Sequence, residues 1–327
     1  MMSESEVLQL VIPAHLASHR LDQALAELLP DYSRARLQQW IKAGRVTLNG
    51  DLCRPRDKLR GNEKVEVRVE HEAQTNWIAE DVPIEVVYED EAVIIVNKPA
   101  GLVVHPGTGN NSGTLVNGLL HHDAKLIEVP RAGIVHRLDK DTTGLLVVAR
   151  TLAAHTQLVE RLQARDVKRE YETIVNGTMT AGGTIDEPMG RHPVHRTRMG
   201  VLVSGGKPAV THYRVKRRFR AHTHLQVNLE TGRTHQIRVH MAHIRHSIVG
   251  DPVYGGRLRL PPKSGETLIE TLRGFPRQAL HAAKLGFVHP LTAKPVEWSV
   301  PLPDDMQHLL RVLADDDRHH QDEYNDY

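Results

Sequence analysis

The chain of 327 residues has a single cysteine, Cys53, few aromatic residues and no long apolar run. One cysteine excludes an internal disulfide and a cysteine-based metal cluster, which fits a reducing cytoplasm. Since aromatics make up only 4% of the residues, we expect a core of Val, Leu, Ile and Ala. No stretch approaches the roughly 18 continuous apolar residues of a membrane span, and the polar segment 1–6 lacks the basic and apolar regions of a secretion signal. We therefore expect a cytoplasmic protein.

The net charge is only +2, but the basic residues are unevenly distributed. Eight Lys or Arg lie between Arg34 and Arg60 against two acidic residues, and nine lie between Gly190 and Arg220 with no Asp or Glu. Acidic residues collect instead in segment 314–327. Clustered basic residues are typical of phosphate binding in nucleic acids, although a single run is more often a solvated face. Two such runs favour an RNA partner.

The N-terminal part has the pattern of a small α/β domain over residues 19–70. Leu37, Trp40 and Ile41 fall on one face of a predicted helix. Asn49-Gly50 is a strong signal for a β-hairpin turn. Two helices, a turn and short strands with exposed basic residues resemble the S4-like RNA-binding domain. Its RNA face would then include Arg34, Arg36, Lys42 and Arg45.

Residues beyond this domain have short strand patterns and mixed helices without regular βα alternation. This favours an α+β fold with a mixed, mostly antiparallel sheet. The predicted order is an N-terminal extension 1–18, the S4-like domain 19–70, a linker 71–82, a catalytic domain 83–313 and a disordered acidic tail 314–327.

The most informative segment is the run 133–146, in which charged residues interrupt two apolar blocks. His136, Arg137, Asp139, Lys140 and Asp141 stand between Ile-Val and Leu-Leu-Val-Val. Unpaired charges are costly in a core. We therefore expect these side chains to line a pocket at the end of core strands.

The run resembles the active-site signature H-R-L-D-x-x-T-S-G of the pseudouridine synthases that modify ribosomal and transfer RNA. Three further segments resemble motifs of this family, in the family's order. Residues 97–107 resemble its first motif, 168–171 the segment that supplies its active-site tyrosine, and 231–240 the segment that supplies its active-site arginine. Thr143 stands where many relatives carry Ser, a small hydroxyl residue like it.

The resemblance implies the role of each site residue. Asp139 is the catalytic carboxylate, and Arg238 is the cation that pairs with it. Tyr171 stacks on the uracil, and its hydroxyl is a candidate for proton transfer at C5. Arg137 occupies the space left by a flipped base, and His136 contacts the backbone phosphate or the sugar.

The implied reaction breaks the C1′–N1 bond of a uridine and joins C1′ to C5 of the same uracil. Because the leaving and attacking groups are one base, we expect neither a cofactor nor a metal.

The closest resemblance is to the branch of the family that acts on the large ribosomal subunit. This implies 23S ribosomal RNA or a precursor of that subunit as partner, with the target uridines in the helix 69 hairpin. Other ribosomal or transfer RNA uridines remain an alternative. We expect no membrane and no obligatory protein partner.

Other function classes compete with this interpretation. Residues 139–143 also fit the D-x-D-x-T motif of aspartate-nucleophile phosphatases, but they do not follow a purely apolar strand, and Asp251 lacks the second acidic residue of a metal pair. The histidines at 235, 240, 243 and 246 suggest a metal site, but no H-E-x-x-H occurs. A non-catalytic S4-type RNA-binding protein would explain the basic runs but not Asp139, Tyr171 and Arg238 together.

Overall fold

The computed structural model describes residues 6–29, 34–69, 77–107, 109–195 and 197–325. The chain divides into two compact units, residues 1–76 and 77–327. Within the described residues, no helix is long and apolar enough to cross a membrane.

The N-terminal unit combines two helices with a four-stranded antiparallel sheet in the order β1-β4-β2-β3. Its elements are β1 (Glu6–Val11), α1 (Leu21–Leu28), α2 (Arg34–Lys42), β2 (Val46–Leu48), β3 (Asp51–Leu52) and β4 (Lys64–Val69). The turn from β2 to β3 contains Asn49 at φ 53° and Gly50 at φ 91°. Positive φ at both central residues is the geometry of a type I′ hairpin, as the Asn-Gly pair predicts.

The core of this unit confirms the predicted helix face and corrects the predicted start of the domain. Leu37, Trp40 and Ile41 are all buried. The sequence placed residues 1–18 outside the domain, yet β1 pairs with β4 along its whole length, and Ile12 and Leu16 are buried in the same core. An edge strand has only one neighbour and its side chains are partly exposed, so its pattern in the sequence is weak.

The second unit is built on a nine-stranded sheet in the order β5-β6-β7-β14-β8-β13-β12-β9, with β15 paired to β14. All neighbours are antiparallel except β7 and β14, which confirms the predicted mixed, mostly antiparallel sheet. The strands are β5 (Glu85–Glu89), β6 (Val93–Lys98), β7 (Thr143–Ala149), β8 (Lys168–Asn176), β9 (Gly183–Asp186), β12 (Val210–Arg218), β13 (His222–Leu229), β14 (Leu280–Val288) and β15 (Pro295–Ser299). A separate hairpin comprises β10 (Met189–Arg191) and β11 (Met199–Val201).

Apolar side chains cover both faces of this sheet. In β6, Val93 and Ile95 belong to one buried cluster, and Ile94 and Val96 belong to another, because successive residues of a strand point to opposite faces. The helices that complete the unit are α3 (Leu115–His122), α4 (Leu152–Gln163), α5 (Gln236–His243), α6 (Glu266–Gly274) and α7 (Asp304–Asn325).

The predicted linker 71–82 is corrected at its C-terminal end. Residues 71–76 lie outside the described residues. Trp77 packs against the main core of the second unit, and the backbone carbonyl of Ile78 accepts a hydrogen bond from Asn117 Nδ2 at 2.7 Å. Residues 77–82 therefore belong to the second unit.

The predicted disordered tail 314–327 is also corrected, because α7 continues to Asn325. The helix buries Met306, Leu309 and Leu313. Beyond them, Asp316 accepts hydrogen bonds from Arg220 at 2.9 and 3.0 Å. The acidic residues that suggested a solvated tail thus include one that binds the helix to the turn between β12 and β13. Residues 326 and 327 lie outside the described residues.

Candidate active site

Asp139 lies in the loop that leads into β7, and glycines fix both ends of this loop. Gly133 has a φ of 79°, and a Cβ there would collide with the carbonyl oxygen of Ala149. Gly144 has a φ of 108°, and a Cβ there would collide with the carbonyl oxygen of Ala282 in β14. Only glycine fits positions that combine positive φ with such close backbone approach. The loop therefore enters the sheet in one fixed position.

Buried side chains also hold the loop 139–142. Three of them donate to it: Lys98 Nζ to Lys140 O at 2.8 Å, Arg277 Nη1 to Asp141 O at 3.1 Å and Gln278 Nε2 to Thr142 Oγ1 at 3.0 Å. Burial lowers the pKa of Lys98 to about 7, against the attraction of Asp141 and Asp139. Three buried side chains thus hold the loop 139–142 that carries Asp139.

Arg238 connects Asp139 to a second carboxylate. Its Nη1 donates to Asp139 Oδ2 at 3.0 Å, while Nε and Nη2 donate to the two oxygens of Asp251 at 2.7 and 2.9 Å. The Asp251 side chain is fully buried, and that of Asp139 is 15% exposed. Burial disfavours the charge of Arg238, but the two carboxylates raise its pKa above the ordinary value. The guanidinium therefore stays charged beside Asp139.

Tyr171, on β8, contributes to the same site as Asp139 and Arg238. Its side chain is buried, and this burial raises the pKa of its hydroxyl. The charge of Arg169 lowers this pKa and that of Asp139 raises it, so the phenol lies within the electrostatic reach of both groups. An un-ionised hydroxyl can donate or accept a hydrogen bond in the site.

All five residues singled out from the motif segments line one cavity of about 580 Å³: His136, Arg137, Asp139, Tyr171 and Arg238. Arg137 is exposed. His136 is half-buried, and its Nε2 accepts a hydrogen bond from the backbone N–H of Val147 at 3.2 Å. Burial lowers the pKa of His136 to about 3. We therefore infer that a neutral His136 anchors the loop to β7 through one ring nitrogen.

Three residues of this site were not predicted as such from the sequence. Asp251 orients Arg238, as described above. His235 lies 3.8 Å from Asp139 through its Nε2, and its Nδ1 is 2.8 Å from the Tyr254 hydroxyl. The Arg238 guanidinium lies over the Tyr254 ring, 5.1 Å from its centroid. His235 has a φ of 58° and directly precedes α5.

Two further histidines that suggested a metal are engaged in other contacts. His240 Nδ1 is 2.9 Å from Thr211 Oγ1, and His246 Nδ1 is 2.9 Å from the carbonyl of Asn176. Within the described part of the chain, no group of three or more His, Cys, Asp or Glu side chains is placed to hold a metal ion.

The predicted RNA-contacting residues of the N-terminal unit differ in their surroundings. Arg34 donates from Nε and Nη2 to the fully buried carboxylate of Asp22, which also binds Arg20. Lys42 is exposed and Arg45 is half-buried. The side chain of Arg36 lies outside the described residues.

The basic run 190–220 is partly neutralised by acidic residues from elsewhere in the chain. Lys216 pairs with Glu172 at 2.8 Å, and Arg220 pairs with Asp316. These two residues therefore contribute less to a phosphate-binding surface than the sequence predicts.

Comparisons with known proteins match both units. Residues 92–243 match the family model described as RNA pseudouridylate synthase, and residues 19–65 match that of the S4 domain. The chain is 58% identical over 305 residues to ribosomal large subunit pseudouridine synthase D of Pseudomonas aeruginosa PAO1, covering 93% of this chain and 95% of that protein. It is 54% identical to the protein of the same name from Escherichia coli K12, covering 98% and 99%.

Among solved structures, the chain resembles human RNA pseudouridylate synthase domain containing 4, with a TM-score of 0.55 and 25% identity. The match covers 70% of this chain and 93% of the human one. The resemblance inferred from the motifs is thus confirmed by both sequence and structure.

Proposed function

This chain belongs to the RNA pseudouridylate synthase family, and on that premise we propose that it isomerises specific uridines of 23S ribosomal RNA to pseudouridine. The observation that carries the proposal is the contact of Asp139 with Arg238 in a cavity that Tyr171 also lines. A carboxylate, a cation and an aromatic ring are the groups that the isomerisation requires around a uridine.

The reaction begins with extrusion of the target base, because its reacting atoms are inaccessible in a stack. The exposed Arg137 lies at the cavity and can fill the gap that the base leaves. Tyr171 then offers its ring as a stacking surface for the uracil. The anchored loop 139–142 presents Asp139 towards the sugar.

Asp139 acts on the ribose in its ionised form. It either bonds to C1′ as a nucleophile or removes the 2′ proton to give a glycal, and both routes break the C1′–N1 bond. Arg238 keeps the carboxylate charged and oriented. The freed uracil turns, C5 bonds to C1′, and the C5 proton is lost, with the Tyr171 hydroxyl as the nearby acceptor or relay.

We infer the substrate RNA from the similar bacterial proteins. The two bacterial proteins described above are named for the large ribosomal subunit and are similar over nearly their whole length. We therefore assign the 23S RNA of the large subunit or its precursor as partner, with the helix 69 hairpin as the target region. The cytoplasm, where this subunit is assembled in bacteria, is the corresponding location. The S4 domain supplies additional RNA contacts through Arg34, Arg36, Lys42 and Arg45.

The test is to map pseudouridines in 23S RNA from a strain lacking this protein, with and without a plasmid carrying the wild type or Asp139→Asn. We expect helix 69 pseudouridines to disappear and to return only with the wild type. Loss at other ribosomal or transfer RNA positions would support the enzyme but reassign its substrate. An unchanged map, combined with RNA binding by the purified protein, would instead identify a non-catalytic RNA-binding protein.

A further inference from the structure

Arg169 is a buried cation in the active-site cavity, and the mechanism above gives it no role. It lies on β8 and is 7% exposed. Among the described residues, its guanidinium has one hydrogen bond, from Nη2 to the carbonyl oxygen of Glu230 at 3.1 Å. Its Nε is buried without a partner, and no carboxylate of the described residues forms an ion pair with it. A buried charge without a counter-ion is costly and calls for a functional explanation.

The neighbouring residue 232 is a glycine, which accommodates the Arg169 guanidinium. A Cβ at position 232 would lie 2.7 Å from Arg169 Nη1, so Gly232 is the residue that leaves room for it. Gly232 and Arg169 both line the cavity. Burial lowers the pKa of Arg169 and the nearby Tyr171 raises it. The protein thus keeps the Arg169 guanidinium beside Gly232 although burial disfavours its charge.

Arg169 and Tyr171 point to the same face of β8, because side chains two positions apart in a strand share a face. Their Cα atoms are separated by about 7 Å along the strand. A uracil stacked on Tyr171 therefore lies within reach of the long arginine side chain. Arg238, by contrast, is occupied by Asp139 and Asp251.

We propose that Arg169 is a further catalytic residue, which binds the uracil through a carbonyl oxygen and stabilises the negative charge of the departing base. When C1′–N1 breaks, the bonding electron pair remains on the uracil and delocalises onto its carbonyl oxygens. At the same time, either C1′ bonds to an Asp139 oxygen, or Asp139 removes the proton from C2′ and a C1′=C2′ double bond forms. In the second step the uracil's electron pair forms the C5–C1′ bond, while the C1′–O bond to Asp139 breaks or, in the glycal route, C2′ regains its proton from Asp139. This inference rests on the proposed function.

Burial favours the base over a phosphate as the ligand of Arg169. Arg137, Arg165 and Arg233 also line the cavity and are exposed, so they are the cations that the phosphates of a docked RNA meet first. Arg169 is buried, and the other buried arginine of the lining, Arg238, is already paired with Asp139 and Asp251. Fixed charges act most strongly on a developing anion where water is excluded.

The decisive experiment compares uridine with 5-fluorouridine at the target position of a minimal hairpin, under single-turnover conditions and at saturating enzyme. Fluorine at C5 withdraws electrons and makes the uracil a better leaving group. We expect Arg169→Gln to slow the consumption of uridine by about 10²–10³-fold, as for loss of one oxyanion donor, and to slow that of 5-fluorouridine at least about tenfold less. Equal losses on the two substrates would overturn the proposal, as would an unchanged rate.

A phosphate role would give a different pattern. Arg169→Gln would then weaken RNA binding, reduce its log–log salt slope by about 0.7–0.9, and affect both nucleosides equally. Lys168→Gln is the matched control, since it removes a positive charge from the neighbouring position on the opposite, exposed side of β8. We expect this control to leave the ratio of the two substrate rates unchanged.

Stability measurements separate catalysis from a structural role. Because the described residues give Arg169 no carboxylate partner, Arg169→Met should keep or raise the Tm while it slows uridine consumption. A lower Tm together with equal losses on both nucleosides would assign a structural role and overturn the proposal. Gly232→Ala keeps the Arg169 charge but displaces Nη1. It should therefore also slow the consumption of uridine more than that of 5-fluorouridine, by a smaller factor than Arg169→Gln. An inactive wild type would refute the proposed function rather than this inference.

Discussion

Arg238 Nη1 lies 3.0 Å from Asp139 Oδ2, in a contact between residues 99 positions apart in the chain. The other edge of the same guanidinium binds Asp251 in bidentate fashion. Two carboxylates therefore share one arginine, and only Asp139 faces the cavity with part of its surface exposed. This arrangement separates a carboxylate that orients Arg238 from the carboxylate that we propose as the reacting group.

Asp139→Asn should abolish pseudouridine formation and leave RNA affinity nearly unchanged. The amide keeps the size of the side chain but lacks the negative charge that both chemical routes require. Single-turnover assays on a target hairpin measure the rate, and binding at one fixed salt concentration measures the affinity. Turnover near the wild-type rate would remove Asp139 from the mechanism.

Asp251→Asn should slow the reaction although this residue does not face the substrate. Arg238 would lose its fully buried counter-ion and the bidentate contact that fixes its orientation. Breaking a buried ion pair costs about 3–5 kcal/mol, so we also expect a lower free energy of unfolding in urea. RNA affinity should change little.

Asp316→Asn is the matched control for this prediction. Asp316 is the 8% exposed partner of Arg220, away from the cavity. Asp316→Asn should lower the free energy of unfolding without slowing the reaction at a temperature where this variant remains folded. If both variants lose activity only in proportion to their unfolded fraction, Asp251 has no positioning role.

The sequence predicted the sheet class, the second helix of the N-terminal unit and the clustering of Asp139, Tyr171 and Arg238. Local apolar periodicity and strand patterns indicated the first two, whereas the clustering was implied by the resemblance of the motif segments to the pseudouridine synthase family. It did not predict the role of Asp251, since the pairing of this residue with Arg238 depends on a turn that returns the chain to α5. Arg169 was also missed, because nothing local shows which strand residue faces a cavity without a counter-ion.

The corrected boundaries have a similar origin. β1 is an edge strand whose partner β4 lies more than 50 residues later, so its pairing is not visible locally. In α7, the pairing of Asp316 with Arg220 links an acidic segment to a basic run 96 residues earlier. Each run alone indicates solvated charge, and the sequence does not show that Asp316 of one run pairs with Arg220 of the other.

Tyr171→Phe should retain RNA binding and slow product formation, because the stacking ring survives while the hydroxyl is removed. Tyr171→Ala should also weaken base capture, since stacking on an aromatic side chain contributes about 1–3 kcal/mol. The two variants are compared in single-turnover rate and in affinity for the hairpin. If the Phe variant matched the wild type in rate, only the ring would matter and a proton-transfer role would be excluded.

Lys98 should make stability depend on pH in a defined direction. Burial lowers its pKa in the folded protein from 10.5 to about 7, so between these values the unfolded chain binds the extra proton. Stability rises with pH wherever the unfolded state binds more protons. The free energy of unfolding of the wild type, relative to Lys98→Met, should therefore increase from pH 7 to 10. Urea titrations of both proteins measure this difference, and a flat or falling difference would mean that Lys98 stays charged in the fold.

The N-terminal basic residues should contribute to RNA binding rather than to the chemical step. All the residues that we place at the reacting uridine belong to the second unit, whereas Lys42 and Arg45 lie in the S4 unit. Removing a cation that binds one phosphate flattens the salt dependence of RNA binding by about 0.7–0.9 in log–log slope. Full-length Lys42→Gln and Arg45→Gln should show this change at an unaltered single-turnover rate under saturating enzyme.

Arg68→Gln provides the control for these two variants, because it removes an exposed positive charge from β4 that already pairs with Glu66 at 3.2 Å. Its salt slope should match that of the wild type, so a slope change in Lys42→Gln and Arg45→Gln reports a specific face of the unit rather than net charge. If all three slopes equal that of the wild type, this face binds no RNA. If the saturated rate falls instead, the N-terminal unit helps to position the RNA for the reaction, and its residues must be added to the description of the site.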